Sequence, residues 1–285
     1  MSRNKGRVGD LTQKPEDTNP PPQVLQQQEN SGFSFVVPTE FVDLPSQGRY
    51  YPEGHPLHNQ ESIEIKQMTA KEEDMLTSRT LLKKGIALDR VVQSLIVDKT
   101  INTDTLLIGD KNALIIATRV SGYGNDYNTK VTCPACAATE EYNFDLNDST
   151  IYRGEEISIL DVTDNSDGTF DVVLPRLQTN VTFRLLIGAD EKRLLNTKAS
   201  RNVAFEKTIT TQLLNILVAV NGDDSRETLQ YVIDNMPSMD SRHLRACYRA
   251  AAPNIDLTQT FVCEECGHEQ EMEVPLNADF FWPDR

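Results

Sequence analysis

Histidine, tryptophan and basic residues are scarce in this 285-residue chain. It has four histidines, one tryptophan, and 28 lysines and arginines against 43 aspartates and glutamates, for a formal net charge of −15. So few histidines give little material for a buried acid–base site. Two of them sit in one Pro/Gly-rich loop, His55-Pro-Leu-His58, with no carboxylate cluster, so a metal pair there is not expected. The first 32 residues balance four basic against four acidic residues, leaving 24 basic against 39 acidic in the body. Such a surface repels phosphate backbones, which makes nucleic acid a poor first guess for a partner. The longest apolar stretch, around Leu213 to Val220, is far short of the roughly 20 residues a membrane span needs. The opening Met1-Ser-Arg-Asn-Lys lacks an apolar h-region, so no secretory signal is expected and the chain reads as soluble and made in a cytoplasm. It contains no phosphate loop, no Gly-x-Ser-x-Gly and no His-Glu-x-x-His. Gly122-Tyr-Gly124 follows no strand and lacks the third glycine of a nucleotide loop. An enzyme is not expected.

What the chain does have is enough apolar sequence, 38%, to bury a core. Residues 1–32 hold Asn19-Pro-Pro-Pro-Gln and Leu25-Gln-Gln-Gln, with almost no apolar periodicity, and read as a disordered leader. Residues 33–66 read as an extended aromatic arm: Phe33, Phe35 and Val37 alternate, Leu44-Pro-Ser-Gln-Gly-Arg-Tyr-Tyr-Pro is turn-like, and Ile63 and Ile65 suggest a short strand. Thr69-Ala-Lys-Glu72 is a capping box, predicting a helix through Met75, Leu76 and Leu82 to a stop at Gly85. Further helices are expected over 89–97, 111–120, 190–196, 204–220, 225–236 and 239–251. The segments Phe170-Asp-Val-Val-Leu and Val181-Thr-Phe-Arg-Leu-Leu-Ile suggest a hairpin. Cys247, at helical spacing with Leu244, Tyr248 and Ala251, reads as a buried apolar residue.

Four of the five cysteines form two pairs of identical spacing, Cys133-Pro-Ala-Cys136 and Cys263-Glu-Glu-Cys266. The likeness extends beyond them. Glu141 and Glu271 each lie five residues after the second cysteine, Tyr142 and Phe144 match Met272 and Val274, and Leu146-Asn147 matches Leu276-Asn277. This is an internal duplication of a knuckle followed by a strand. Two such knuckles supply the tetrahedral Cys₄ shell that structural Zn²⁺ favours. Joining Cys136 to Cys263 costs about 4 kcal/mol of loop entropy, which structural zinc sites, at about 10–16 kcal/mol, offset. The expected architecture is therefore α+β: a mostly helical body with β-hairpins and a discontinuous zinc-ribbon-like clasp made of Cys133, Cys136, Cys263 and Cys266. That body would span 67–280, with 150–252 inserted between the knuckles and 281–285 as a tail. A redox role requires each pair to open a helix, whereas both precede strand patterns.

Several segments together resemble the T-even-type bacteriophage baseplate family, the hub proteins and hub-assembly chaperones of contractile tails. They are Phe41-Val-Asp-Leu-Pro-Ser-Gln-Gly-Arg-Tyr-Tyr, Met68-Thr-Ala-Lys-Glu-Glu-Asp-Met-Leu-Thr-Ser, Gly109-Asp110, Arg119, Tyr123-Gly124, and Cys133-Pro-Ala-Cys136 with Phe144-Asp-Leu. Asp240-Ser-Arg-His-Leu-Arg, Cys263-Glu-Glu-Cys266-Gly267 and Phe280-Phe-Trp-Pro complete the set, which spans roughly residues 33–283. The resemblance implies a nonenzymatic virion protein of the tail baseplate, acting in or on the hub, present in host cytoplasm during assembly and partnered by other baseplate and tail proteins. A transient hub-assembly chaperone is the alternative within that family, and a zinc-ribbon nucleic-acid adaptor is the alternative outside it. Glu140, Glu141, Glu269, Glu271 and Glu273 beside the knuckles argue against the adaptor. Extended aromatics give contact area on docking, so Phe33, Phe35, Phe41, Tyr50, Tyr51, Phe280, Phe281 and Trp282 are the candidate partner-binding residues. The alternative is that both segments fold back on the chain's own core, which is the favoured reading for Phe280, Phe281 and Trp282.

Overall fold

The structure, a computed structural model, describes residues 37–83, 85–200, 208–275 and 278–281. Val37–Arg285 make one compact unit. The chain enters with antiparallel strands β1 (Thr39–Asp43) and β2 (Ser62–Lys66), where Val42 lies opposite Ile63. Val42, Ile63 and Ile65 face the core while Phe41, one residue out of phase, faces outward, as the two-residue period of a strand requires. Helices α1 (Ala70–Thr77), α2 (Arg79–Lys83), α3 (Ala87–Leu95) and α4 (Ile108–Tyr123) follow. The single helix expected up to Gly85 is broken at Ser78, whose backbone is extended. Just before the break, Thr77 Oγ1 donates to the carbonyls of Glu73 and Asp74, at 3.0 and 3.3 Å, a local bond that competes with helix continuation. The capping carboxylate of Glu72 accepts from Thr69 N–H at 3.2 Å and from Ser94 Oγ at 2.7 Å, which ties α1 to α3.

α4 packs against β1, α3 and the later strand β10 (Asn254–Asp256). Gly109 permits this last contact, because a Cβ there would fall on the carbonyl of Pro253. After α4 come the hairpin β3 (Asp126–Thr132) and β4 (Thr139–Asp145), then β5 (Thr150–Tyr152). A four-stranded antiparallel sheet combines β6 (Thr163–Asp164), β7 (Thr169–Val173), β8 (Asn180–Arg184) and β9 (Leu217–Val220) in that order. Its buried Phe170 and Phe183 stack with ring centres 5.4 Å apart. Helices α5 (Gly188–Ser200) and α6 (Thr208–Ile216) precede β9, and α7 (Arg226–Asn235) and α8 (Ser238–Ala251) follow it. Strand β10 (Asn254–Asp256) pairs with β5, and the hairpin β11 (Thr258–Val262) and β12 (Glu269–Glu273) leads to a 3₁₀ turn, Ala278–Phe281.

The protein is therefore mixed α+β, and the mostly helical body expected from sequence is not found: among the described residues, small antiparallel sheets share the architecture with short helices. The helix expected over 204–220 is seen only for Thr208–Ile216, since 204–207 lie outside the described residues and Leu217–Val220 form β9. Leu217, Ala219 and Val220 pair with Phe183, Thr182 and Val181 of β8, so tertiary pairing overrides the helical pattern.

Candidate metal centre

Each knuckle is the turn of a hairpin. Cys133 follows β3 directly and Cys263 follows β11, so register sends both side chains inward, where each is 1% exposed, while Cys136 and Cys266 sit on the open side of the turn. The two turns use the same backbone bonds. Cys133 N–H donates to Ala138 O and Ala137 N–H to Cys133 O, at 2.8 and 2.9 Å; Cys263 N–H donates to His268 O and Gly267 N–H to Cys263 O, both at 2.9 Å. The turn closes through a left-handed residue in both, Ala137 at φ 60° and Gly267 at φ 67°. The inward positions also correspond, with Val131 and Phe144 buried in one unit and Phe261 and Val274 in the other. The duplication legible in the sequence is thus a duplication of structure up to Val274. Leu276-Asn277 lie outside the described residues.

The units meet face to face. Tyr142 packs on Phe261 at 5.1 Å and its hydroxyl donates to Thr260 O at 3.1 Å, while Gln259 Nε2 donates to Asp145 O at 2.7 Å. Across the junction Cys133 Sγ lies 3.8 Å from Cys266 Sγ, and Cys136 Sγ 3.7 Å from Cys263 Sγ. All four sulfurs fall within 4.8 Å of one another, close enough to hold a metal ion. The backbone N–H groups of Cys136 and then Ala135 pull the Cys133 thiol down to about 7. At Cys266 the His268 N–H acts in the same direction, but the bond to Cys136, burial and the other sulfurs push the thiol up to about 12. The physical cause is that the Cys266 thiol keeps its proton while it donates to neighbouring sulfurs, a role that a bound cation would take over. The histidines expected to be unrelated to metal are elsewhere, with His58 Nδ1 2.7 Å from Tyr51 O and His55 Nε2 2.9 Å from Thr105 Oγ1.

Among the described residues the aromatic candidates do not form one exposed surface. Phe33, Phe35 and Trp282 lie outside the described residues. Phe41 is 72% exposed, and Tyr50 is half-buried with its ring 5.5 Å from that of Phe170. Tyr51, Phe280 and Phe281 are buried in the chain's own core. The Tyr51 hydroxyl donates to Asp110 Oδ2 at 2.8 Å and accepts from Leu107 N–H at 3.1 Å. Phe280 packs edge-on to Tyr127, and its carbonyl accepts from the buried Arg119, which also binds the carbonyls of Gly124 and Asp126.

Composition and motif reasoning attached no structural role to three buried polar anchors. Asp110 accepts from Ser46 N–H and Oγ and from Tyr51, fastening the 44–51 loop to α4. Arg119 fastens the C-terminal turn, and Asp240 accepts from the N–H groups of Arg176 and Leu177, fastening the β7–β8 turn to α8. A charged residue inside an otherwise apolar helical face was the available signal.

Fold and site together define a mixed α+β protein closed by a four-cysteine cluster that can hold a metal ion. The chain belongs to the T4 bacteriophage base plate protein family, whose model matches residues 38–282. No curated protein and no solved structure matches it. It is thus a bacteriophage baseplate protein, and membership of that family implies the tail baseplate as its place and other baseplate components as its partners. Among the described residues no helix is long and apolar enough to cross a membrane.

Proposed function

We propose that this chain is a nonenzymatic structural or assembly protein of the hub region of a contractile-tail baseplate, held together by one structural zinc on Cys133, Cys136, Cys263 and Cys266. The observation that carries the metal reading is the sulfur geometry. A tetrahedron with Zn–S distances of about 2.3 Å has edges of about 3.8 Å, and the cross-knuckle separations are 3.8 and 3.7 Å. Four cysteine sulfurs fill the shell and leave no open position for a substrate, which suits a structural site. Bound there, zinc would supply a cross-link between two hairpins 127 residues apart at Cys136 and Cys263, with 150–252 as the insertion between them. Among the described aromatic candidates, the exposed Phe41 on β1 is the one available for docking to a neighbouring baseplate subunit.

Elemental analysis of purified protein tests the metal, with one zinc per chain expected; purified protein that holds no zinc and gains no stability when zinc is added overturns the clasp. Mass spectrometry of purified virions tests the role. A stoichiometric band in mature tails supports a retained subunit, and its absence there with presence in assembly intermediates supports the chaperone reading. Exposed Glu141, Glu269, Glu271 and Glu273 around the knuckles disfavour the nucleic-acid adaptor, which salt-dependent binding in a gel shift would revive.

A further inference from the structure

α8 carries Arg242, Arg245 and Arg249 at helical spacing, on the side opposite its buried Leu244, Cys247 and Ala251. In a chain of net charge −15 this is a local basic stripe against the global sign. None of the three guanidiniums pairs with a carboxylate of a described residue. The ion pairs there gather instead on Asp89, Asp104, Asp190 and Glu191. Like charges at i, i+3 and i, i+4 repel, so the stripe carries a small cost that no ion pair among the described residues offsets, although Arg245 Nε donates to Ser241 O at 3.3 Å. The same three arginines line a cavity of about 470 Å³ whose apolar lining comes from Leu186, Leu194, Leu213, Ile216 and Tyr248. That volume lies within the range of roughly 300–1,000 Å³ typical of binding pockets.

An apolar floor under a guanidinium rim complements a segment that presents apolar side chains beside carboxylates. Arginine suits that task because its planar fork binds carboxylates bidentately and is weakly hydrated. We propose that this groove is a docking site for an acidic, amphipathic segment of a neighbouring baseplate component. The rim would steer and orient the segment, and the floor would bury its apolar face. The site goes beyond the zinc reading and does not depend on it, so a metal-free protein would leave it standing.

The test uses the full chain and a short fluorescent peptide in which paired glutamates alternate with paired leucines, followed by anisotropy. Saturable binding is expected, weakened about tenfold by the combined R242E, R245E and R249E substitutions and similarly by high salt. Should the triple variant fail to fold, Arg242→Gln with Arg249→Gln, both at exposed positions, is expected to weaken binding severalfold. Undiminished binding by a folded variant overturns the proposal, as does absence of binding by the unmodified chain. Equal affinity for a peptide with its leucines replaced by serine, or equal competition by inorganic phosphate or duplex DNA, also overturns it, because the groove would then be a simple anion or nucleic-acid site.

Discussion

Cys266→Ser separates the metal's contribution from that of packing. Cys263 is sealed in the core, and replacing it would disturb packing as well as ligation. Cys266 is exposed, so exchanging its sulfur for a hydroxyl removes a ligand and little else. Surface substitutions of this kind change stability by about 0.5 kcal/mol or less. A metal that binds the folded state alone stabilises it by mass action, about 4 kcal/mol when free zinc is roughly a thousandfold above its dissociation constant. The expected result is a cycle: in zinc-buffered solution Cys266→Ser lowers urea-unfolding stability by about 4 kcal/mol, and in excess chelator the two proteins unfold alike. Zinc content, measured on the same samples, should fall with the first effect. Equal stability in both media, or a loss that persists unchanged in chelator, refutes the clasp.

The other predictions concern the framework that holds the site. Tyr51→Phe keeps the ring but deletes a hydroxyl that serves both Asp110 and Leu107 N–H, so a loss of about 2–4 kcal/mol is expected in urea unfolding; under 1 kcal/mol would mean that water substitutes for it. Ala137→Gly should gain up to about 1 kcal/mol, because left-handed backbone costs a Cβ-bearing residue about that much, and Gly267→Ala should lose a similar amount. Opposite signs in thermal melts would verify that the two turns are equivalent. At Asp190 burial alone would raise the carboxyl, but paired hydrogen bonds from Arg184, at 2.8 and 2.9 Å, and the Ile187 N–H hold it below the usual aspartate value. A depressed folded value means that its stabilisation is complete above the unfolded value of about 3.9 and is lost as pH falls through the lower folded value. Asp190→Asn should be less stable at neutral pH and show a flatter acid-unfolding profile in that window; an unchanged profile would place the acid sensitivity elsewhere.

The cysteine spacing, the duplicated strand pattern, the capping box before α1 and the hairpin of β7 and β8 were all legible in the amino-acid order, because each depends on residues within a few positions of one another. A Cys-x-x-Cys turn closes through its own backbone hydrogen bonds wherever it occurs, and a two-residue period declares a strand without reference to the rest of the chain. The family likeness was readable for the same reason, as short runs of local sequence. What the sequence did not decide depends on partners far away. Leu217–Val220 read as helix until β8 offered them an edge. Tyr51 was open between contact surface and core until Asp110 enclosed it, and Arg119 and Tyr127 supply the core partners of Phe280. Asp240 carried only the family likeness until two amides of a distant turn gave it its role as acceptor. Burial and hydrogen-bond satisfaction are properties of neighbours in space, so only the tertiary structure could bring four sulfurs from two ends of the chain to a common point and turn scattered polar residues into the anchors that keep them there.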